Sequence, residues 1–240
     1  METVHEIPAL PRRPVEGHKG TFGRVLVVAG SVGMTGAAAL VGRSALRAGA
    51  GLVRVATPAG ALPIVASIEP CYTTLPLAQV DSGRISSRAI GTILDAVKDN
   101  DVTAFGPGAG QSTALREVAE TLMQQESLWL VIDGDGLNNL SRLSGWPQKR
   151  RASVVLTPHP GEMKRLWSGL FRDEMPNDRR EQAARLASAP WVRARRRPRR
   201  RHRPAHARAG LRDLQGPVAA APPGRRTRVR GPLRRPDLEG

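Results

Sequence analysis

The sequence predicts an α/β protein with a mostly parallel central sheet and helices on both faces. Three observations carry that reading. Residues 24–29 (RVLVVA) and 52–57 are short, nearly all-apolar runs, the mark of strands buried on both faces. Between them a glycine turn and a small-residue helical segment complete a strand–helix–strand unit of about forty residues, the crossover that parallel strands require. Further along, more short strands end in glycine- or acid-rich turns, each followed by a helical pattern.

In chain order, residues 1–17 contain Pro and Arg without a clear period and read as an irregular lead-in. His18-Lys19-Gly20-Thr21-Phe22-Gly23 precedes the first strand, where Lys19 either reaches an anion or is a solvated loop lysine. Gly30, Gly33 and Gly36 follow that strand; their spacing is not the G-x-G-x-x-G dinucleotide fingerprint. A turn at this position still opens a helix at the strand's carboxyl end, where ligands lie in open α/β sheets. The helix over 36–48 is expected to turn Ala37, Leu40, Val41 and Leu46 inward, and the AGAG of 48–51 to end it.

Residues 61–67 suggest a short helix, and 71–75 a Pro-punctuated strand. Ile85, Ala89, Ile93 and Val97 predict one buried face of a helix over 85–97. A strand at 102–105 closes on GPGAG, a turn that lets a ligand approach the backbone or simply joins strand to helix. The helix over 112–125 takes Ser112 or Thr113 as its cap. Strand 128–133 ends in Asp133-Gly134-Asp135-Gly136, where the carboxylates serve a metal or hydroxyl, or one caps the next helix. Strand 153–156 runs into Thr157-Pro158-His159-Pro160-Gly161-Glu162, so two prolines hold His159 rigidly before a helix that begins with an acid. Residues 178–188 form a last amphipathic helix.

Bulk properties narrow the function. A single cysteine, Cys71, rules out an internal disulfide framework and points to a reducing compartment. No apolar run approaches the length of a membrane span, and the expectation is a soluble, cytoplasmic protein. The net charge of +16 suggests nucleic-acid binding until it is divided by position. Residues 1–190 hold 21 Lys and Arg against 18 acids, whereas residues 191–240 hold 16 Arg, no Lys and 3 acids. The charge therefore belongs to the last fifty residues.

The segments HKGTFGRVLVVAGS, GMTGAAAL…RAGAGLVRVATP, FGPGAG, VIDGDGLN and LTPHPGE, in this order from about residue 18 to 188, resemble the ADP/ATP-dependent NAD(P)H-hydrate dehydratases of the ribokinase-like superfamily. That resemblance implies a ribokinase-like fold and a repair reaction. A nucleotide, ADP or ATP, phosphorylates the hydroxyl of a hydrated nicotinamide ring, and loss of phosphate and a proton regenerates NADH or NADPH. It further implies that Ala37, Gly108 and His159 line the hydrated-nicotinamide site, that Glu162 organises Mg²⁺, and that Lys19 holds phosphate. Asp133 and Asp135 are weaker assignments. The resemblance also implies a homo-oligomer in the intact family.

The family pattern continues with a Lys-Gly loop and a Gly-Thr-Gly-Asp segment that carries its catalytic Asp, and neither follows residue 189. The catalytic residue of this chain is thus unassigned. Of residues 191–240, Arg, Pro, Ala and Gly supply 35, all with GC-rich codons. The expectation is a partial ribokinase-like domain over 1–190, truncated in its C-terminal portion. It is followed by a disordered tail over 191–240 translated out of frame, and the chain as written is expected to be inactive. The alternative is a non-catalytic ribokinase-like protein whose Arg-rich arm binds nucleic acid.

Overall fold

The structure is a computed structural model that describes residues 12–188. Its core is one six-stranded sheet in the order β3-β2-β1-β4-β5-β6. The strands are β1 (Arg24–Val28), β2 (Leu52–Pro58), β3 (Thr73–Leu77), β4 (Val102–Phe105), β5 (Trp129–Ile132) and β6 (Ser153–Leu156). All five pairings are parallel. The helices are α1 (Thr35–Arg47), α2 (Leu62–Ile68), α3 (Ile90–Lys98), α4 (Thr113–Met123), α5 (Asp135–Leu140), α6 (Trp146–Lys149), α7 (Pro160–Leu170) and α8 (Arg179–Ser188).

The pleat sorts the apolar residues of β1 to two sides. Val27 and Ala29 join Val53 and Val55 under Ala38 of α1 and Val65 of α2. Leu26 and Val28 join Phe105, Leu130 and Ile132 in the larger core, which α3, α4, α5 and α7 cover. The expected layers are therefore present. The helices leave no bare apolar face on the central strands, which explains why β1 and β2 read as continuous apolar runs.

The helix after β1 uses the expected stripe only in part: Val41 and Leu46 pack against the core, but Leu40 does not. Leu40 is 66% exposed, whereas Ala38, Ala39 and Gly42 are buried. The small side chains let α1 approach the sheet closely. A Cβ on Gly42 would stand 2.8 Å from Val55 Cγ2 and 2.9 Å from the Tyr72 ring. The helix ends in a Schellman turn as expected. Gly49 has φ +108°, its N–H donates to Leu46 O, and the Ala50 N–H donates to Ala45 O.

Two other boundaries differ from expectation. The expected strand over 71–75 lies two residues later, and the expected helix over 85–97 begins later as well. Ile85 pairs with Gln79 across a small hairpin, and a 3-10 turn over Ser87–Ala89 leads into α3. Ile85, Ala89, Ile93 and Val97 are nonetheless all buried. The expected division at residue 190 and the expected character of 191–240 lie outside the described residues. No helix among the described residues is long and apolar enough to cross a membrane.

Candidate active site

Because every strand is parallel, all carboxyl ends lie on one edge. The chain runs β1, β2, β3 outward to one side, then crosses to β4, β5, β6 on the other. The order therefore reverses between β1 and β4, the place where open α/β sheets bind ligands.

The turns after β1 and β4 are joined there. The Gly30 N–H donates to Pro107 O at 2.9 Å, and buried Ser31 Oγ donates to Gly108 O at 2.8 Å. Gly108 has φ +64° and packs on the start of α1. A Cβ there would lie 2.7 Å from Ala37 Cβ and 3.1 Å from Met34 Cβ. By contrast, a Cβ on Gly33 or Gly36 would meet nothing within 4 Å. The turn after β1 is thus tight against β4 at its base and open at its tip. The first helical amides of α1 have no side-chain cap.

The β4 turn is held from below by α5. Asn139 is fully buried; its Nδ2 donates to Gly110 O at 2.9 Å and Asp135 O at 2.8 Å, and its Oδ1 accepts from the Ser112 N–H at 3.2 Å. Asp135 Oδ2 accepts from the Gly110 N–H at 2.8 Å. Gly106 packs so tightly that a Cβ on it would collide with Asp133 O and the Gly136 backbone. Asp133 instead accepts from Thr157 Oγ1 at 2.9 Å, joining β5 to β6. The two carboxylates of the Asp-Gly-Asp-Gly segment therefore serve two different connections, and neither caps α5 with its side chain.

His159 follows β6 on the same edge as Gly108, two strands across, and it is the residue before α7. Its Nδ1 accepts from the Gly161 N–H at 3.0 Å. Glu162 is buried, and its Oε2 accepts from the His159 N–H at 2.9 Å. A cavity of about 320 Å³ opens beside Thr157, Pro158 and Pro160 against Arg179 and Gln182 of α8. None of Ala37, Gly108 and His159 lines it.

Lys19 is placed elsewhere. It precedes β1 and is exposed, at the amino edge of the sheet, where its backbone carbonyl covers Gly51 before β2. A five-residue strand, about 17 Å long, separates it from the turn after β1. The structure brings Ala37 and Gly108 into contact, puts His159 on their edge, and leaves Lys19 on the other.

Several residues that build this edge carried no sequence signal strong enough to single them out. Ser31 and Asn139 are ordinary polar residues until the fold turns them inward. The hairpin over 79–85 is similar: the Val32 N–H donates to Gly83 O, and Arg84 Nη1 donates to Gln111 O at 2.9 Å, so it bridges both turns. Its Asp81-Ser82-Gly83 run is a turn signal in the sequence.

Residues 25–190 match the profile of the NAD(P)H-hydrate dehydratase family. The chain belongs to this family. The bifunctional NAD(P)H-hydrate repair enzyme Nnr of Moorella thermoacetica is 40% identical over 178 residues, covering 74% of this chain and 33% of that protein. The Escherichia coli enzyme of the same name is 38% identical over 180 residues, covering 73% and 31%. Among solved structures, the ADP/ATP-dependent NAD(P)H-hydrate dehydratase of Bacillus subtilis, co-crystallised with ATP/Mg²⁺, superposes with a TM-score of 0.58. It shares 29% identity over 74% of this chain and 58% of that one. A ribokinase-like superfamily protein from Enterococcus faecalis shares the fold, with a TM-score of 0.59 at 23% identity over 75% and 59% of the two chains. The chain thus spans about a third of the length of the curated family members it matches.

Proposed function

We propose that this chain carries the hydrated-nicotinamide site of a nucleotide-dependent NAD(P)H-hydrate dehydratase, acting in metabolite repair in the cytoplasm. The observation that carries the reading is the contact between Gly108 and Ala37 at the point where the strand order reverses. A ring that must lie close to the chain needs a wall without large side chains, and this one is bare backbone and a methyl group. His159 adds a second boundary from the same edge.

In the reaction, ADP or ATP phosphorylates the ring hydroxyl, and departure of phosphate with a proton restores the double bond. Phosphoryl transfer depends chiefly on positioning and charge stabilisation. The nicotinamide wall is here, but the 240 residues contain no Gly-Thr-Gly-Asp segment. Lys19 is on the wrong edge to hold a phosphate at this wall within one chain. Glu162 does not fit a Mg²⁺ ligand, since both of its oxygens face His159. These residues by themselves therefore bind without turnover, and the division into a domain over 1–190 and an out-of-frame tail over 191–240 belongs to the same reading. The homo-oligomer that the family resemblance implies is also part of it.

The experiment mixes hydrated NADH or NADPH, ADP or ATP, and Mg²⁺ with the chain as written and with a version whose reading frame is restored after residue 189. The rise in NADH absorbance is followed. Recovery of activity in the restored version alone, with NADPH binding in both, is the expected result. Full turnover by the chain as written overturns the assignment of the missing Asp.

A further inference from the structure

Two segments on opposite edges of the sheet fold in the same way. In His18-Lys19-Gly20-Thr21 and His159-Pro160-Gly161-Glu162, the histidine stands just before a helical turn. Its Nδ1 accepts from the N–H of the glycine two residues on, at 3.1 Å from Gly20 and 3.0 Å from Gly161. Its own N–H donates to the fourth residue, at 2.9 Å to Thr21 Oγ1 and 2.9 Å to Glu162 Oε2. The glycine is part of the device. A Cβ on Gly20 or Gly161 would lie 3.0 Å or 2.9 Å from the Cε1 atom of the ring. Each start thus satisfies its exposed amides reciprocally, as a capping box does.

Threonine completes the first of these boxes, so the box itself does not require an acid. Thr21 turns its remaining hydrogen-bonding capacity back to His18 O. Glu162 does something Thr21 does not. Its Oε1 lies 3.2 Å from His159 Nε2, and its side chain is 6% exposed beneath a ring that is 62% exposed. Nδ1 of that ring is already an acceptor, which leaves the ring proton to Nε2, and Nε2 stands at ion-pair distance from the carboxylate. A buried acid therefore grips an exposed imidazole, and it does so only at the carboxyl edge.

We infer that Glu162 is a positioning residue that fixes the orientation of His159, and is not a ligand for the Mg²⁺ that accompanies the nucleotide. With Nδ1 accepting and Nε2 beside the carboxylate, His159 offers a ligand its ring plane rather than a free basic nitrogen. Only the consequence for nicotinamide binding rests on the function proposed above. The cap and the tether stand on geometry alone.

The test compares the native chain with E162Q and E162A. A glutamine oxygen still accepts from the His159 N–H, but its neutral amide removes the negative charge beside Nε2. The expected melting temperature of E162Q is within about 1 °C of native, and that of E162A is lower by about 2–4 °C. In ¹⁵N NMR of the imidazoles in mildly alkaline buffer, the native His159 Nε2 resonance is displaced from that of His18, whose box is completed by Thr21, and both variants move it toward the His18 value. Magnesium chloride alone leaves all three melting temperatures unchanged. Unaltered His159 signals in E162Q overturn the tether. A Mg²⁺-dependent rise in melting temperature in the native chain, absent from both variants, overturns the inference in favour of metal ligation. Titration with NADPH separates the two readings. If the native His159 signals do not move, the nicotinamide assignment fails while the tether result stands.

Discussion

Gly108 sits against Ala37 so closely that a methyl group on it would lie 2.7 Å from the Ala37 Cβ. The contact joins the β4 turn to the start of α1, and it makes both residues part of one surface. Its strictness generates the first prediction. Gly108→Ala places a side chain at φ +64° and into this contact, so a loss of about 2–4 kcal/mol is expected in urea unfolding, together with loss of NADPH binding. A binding-competent Gly108→Ala would mean that the wall for the ring is elsewhere.

Gly36→Ala is the contrasting case. Its Cβ meets nothing within 4 Å, and the residue is already helical. Stability is expected to rise by about 0.5 kcal/mol, because the unfolded chain loses freedom and the native one loses nothing. If fluorescence titration shows weaker NADPH binding in this more stable variant, the open space above α1 is where the ligand lies.

Asn139→Ala removes three hydrogen bonds at once and leaves the part-buried Gly110 O and Ser112 N–H without that partner. A loss of at least about 2 kcal/mol is expected in urea unfolding. Asn139→Asp keeps only the acceptor and turns a charge toward two carbonyls, so it is expected to be no better than alanine. A near-neutral effect would show that the loop over 106–112 does not depend on α5.

Lys19→Ala is expected to leave NADPH affinity unchanged, since the residue lies on the opposite edge of the sheet. Gly51→Ala is expected to be strongly destabilising, because its Cβ would collide with Lys19 O. A marked fall in nicotinamide nucleotide affinity on Lys19→Ala alone would contradict this separation.

Acid sensitivity has a local source near α8. Arg185 pairs with Asp173 while stacking over Trp167 at 4.9 Å and Phe171 at 5.7 Å. The hydrogen bond from Arg185 holds the Asp173 carboxyl below its ordinary value of 3.8, against a smaller opposing effect of desolvation. A lowered carboxyl contributes stability that is present above that ordinary value and is lost as pH falls through the lowered one. Asp173→Asn is therefore expected to flatten the acid limb of the stability–pH curve in this window. An unchanged acid limb would rule this pair out as a source.

Much of the fold was legible because a parallel sheet buried on both faces leaves little choice of residue. The runs at 24–29 and 52–57 mark β1 and β2 almost to the residue. The stripe of α1 was harder to read, because a helix packed through Ala38 and Gly42 shows little contrast between its faces; the large Leu40 points outward. The placement of Lys19 depends on strand direction rather than on local sequence, since an anion-binding lysine and a loop lysine look alike one residue before a glycine. The double appearance of His-x-Gly followed by Thr or Glu was visible in the letters. Its meaning became clear only when both rings were seen to accept from the glycine N–H.

The jammed backbones of Gly106 and Gly136 bear on timing. The turns after β4 and β5 cannot hinge past each other, since neither has room even for a methyl group. Among the described residues these turns supply no lid from that side, so on the function proposed above the ring wall exists before a ligand arrives. Encounter should then set the pace: stopped-flow traces with NADPH are expected to be single-exponential, with an observed rate that climbs linearly with concentration and shows no plateau from a slow closing step.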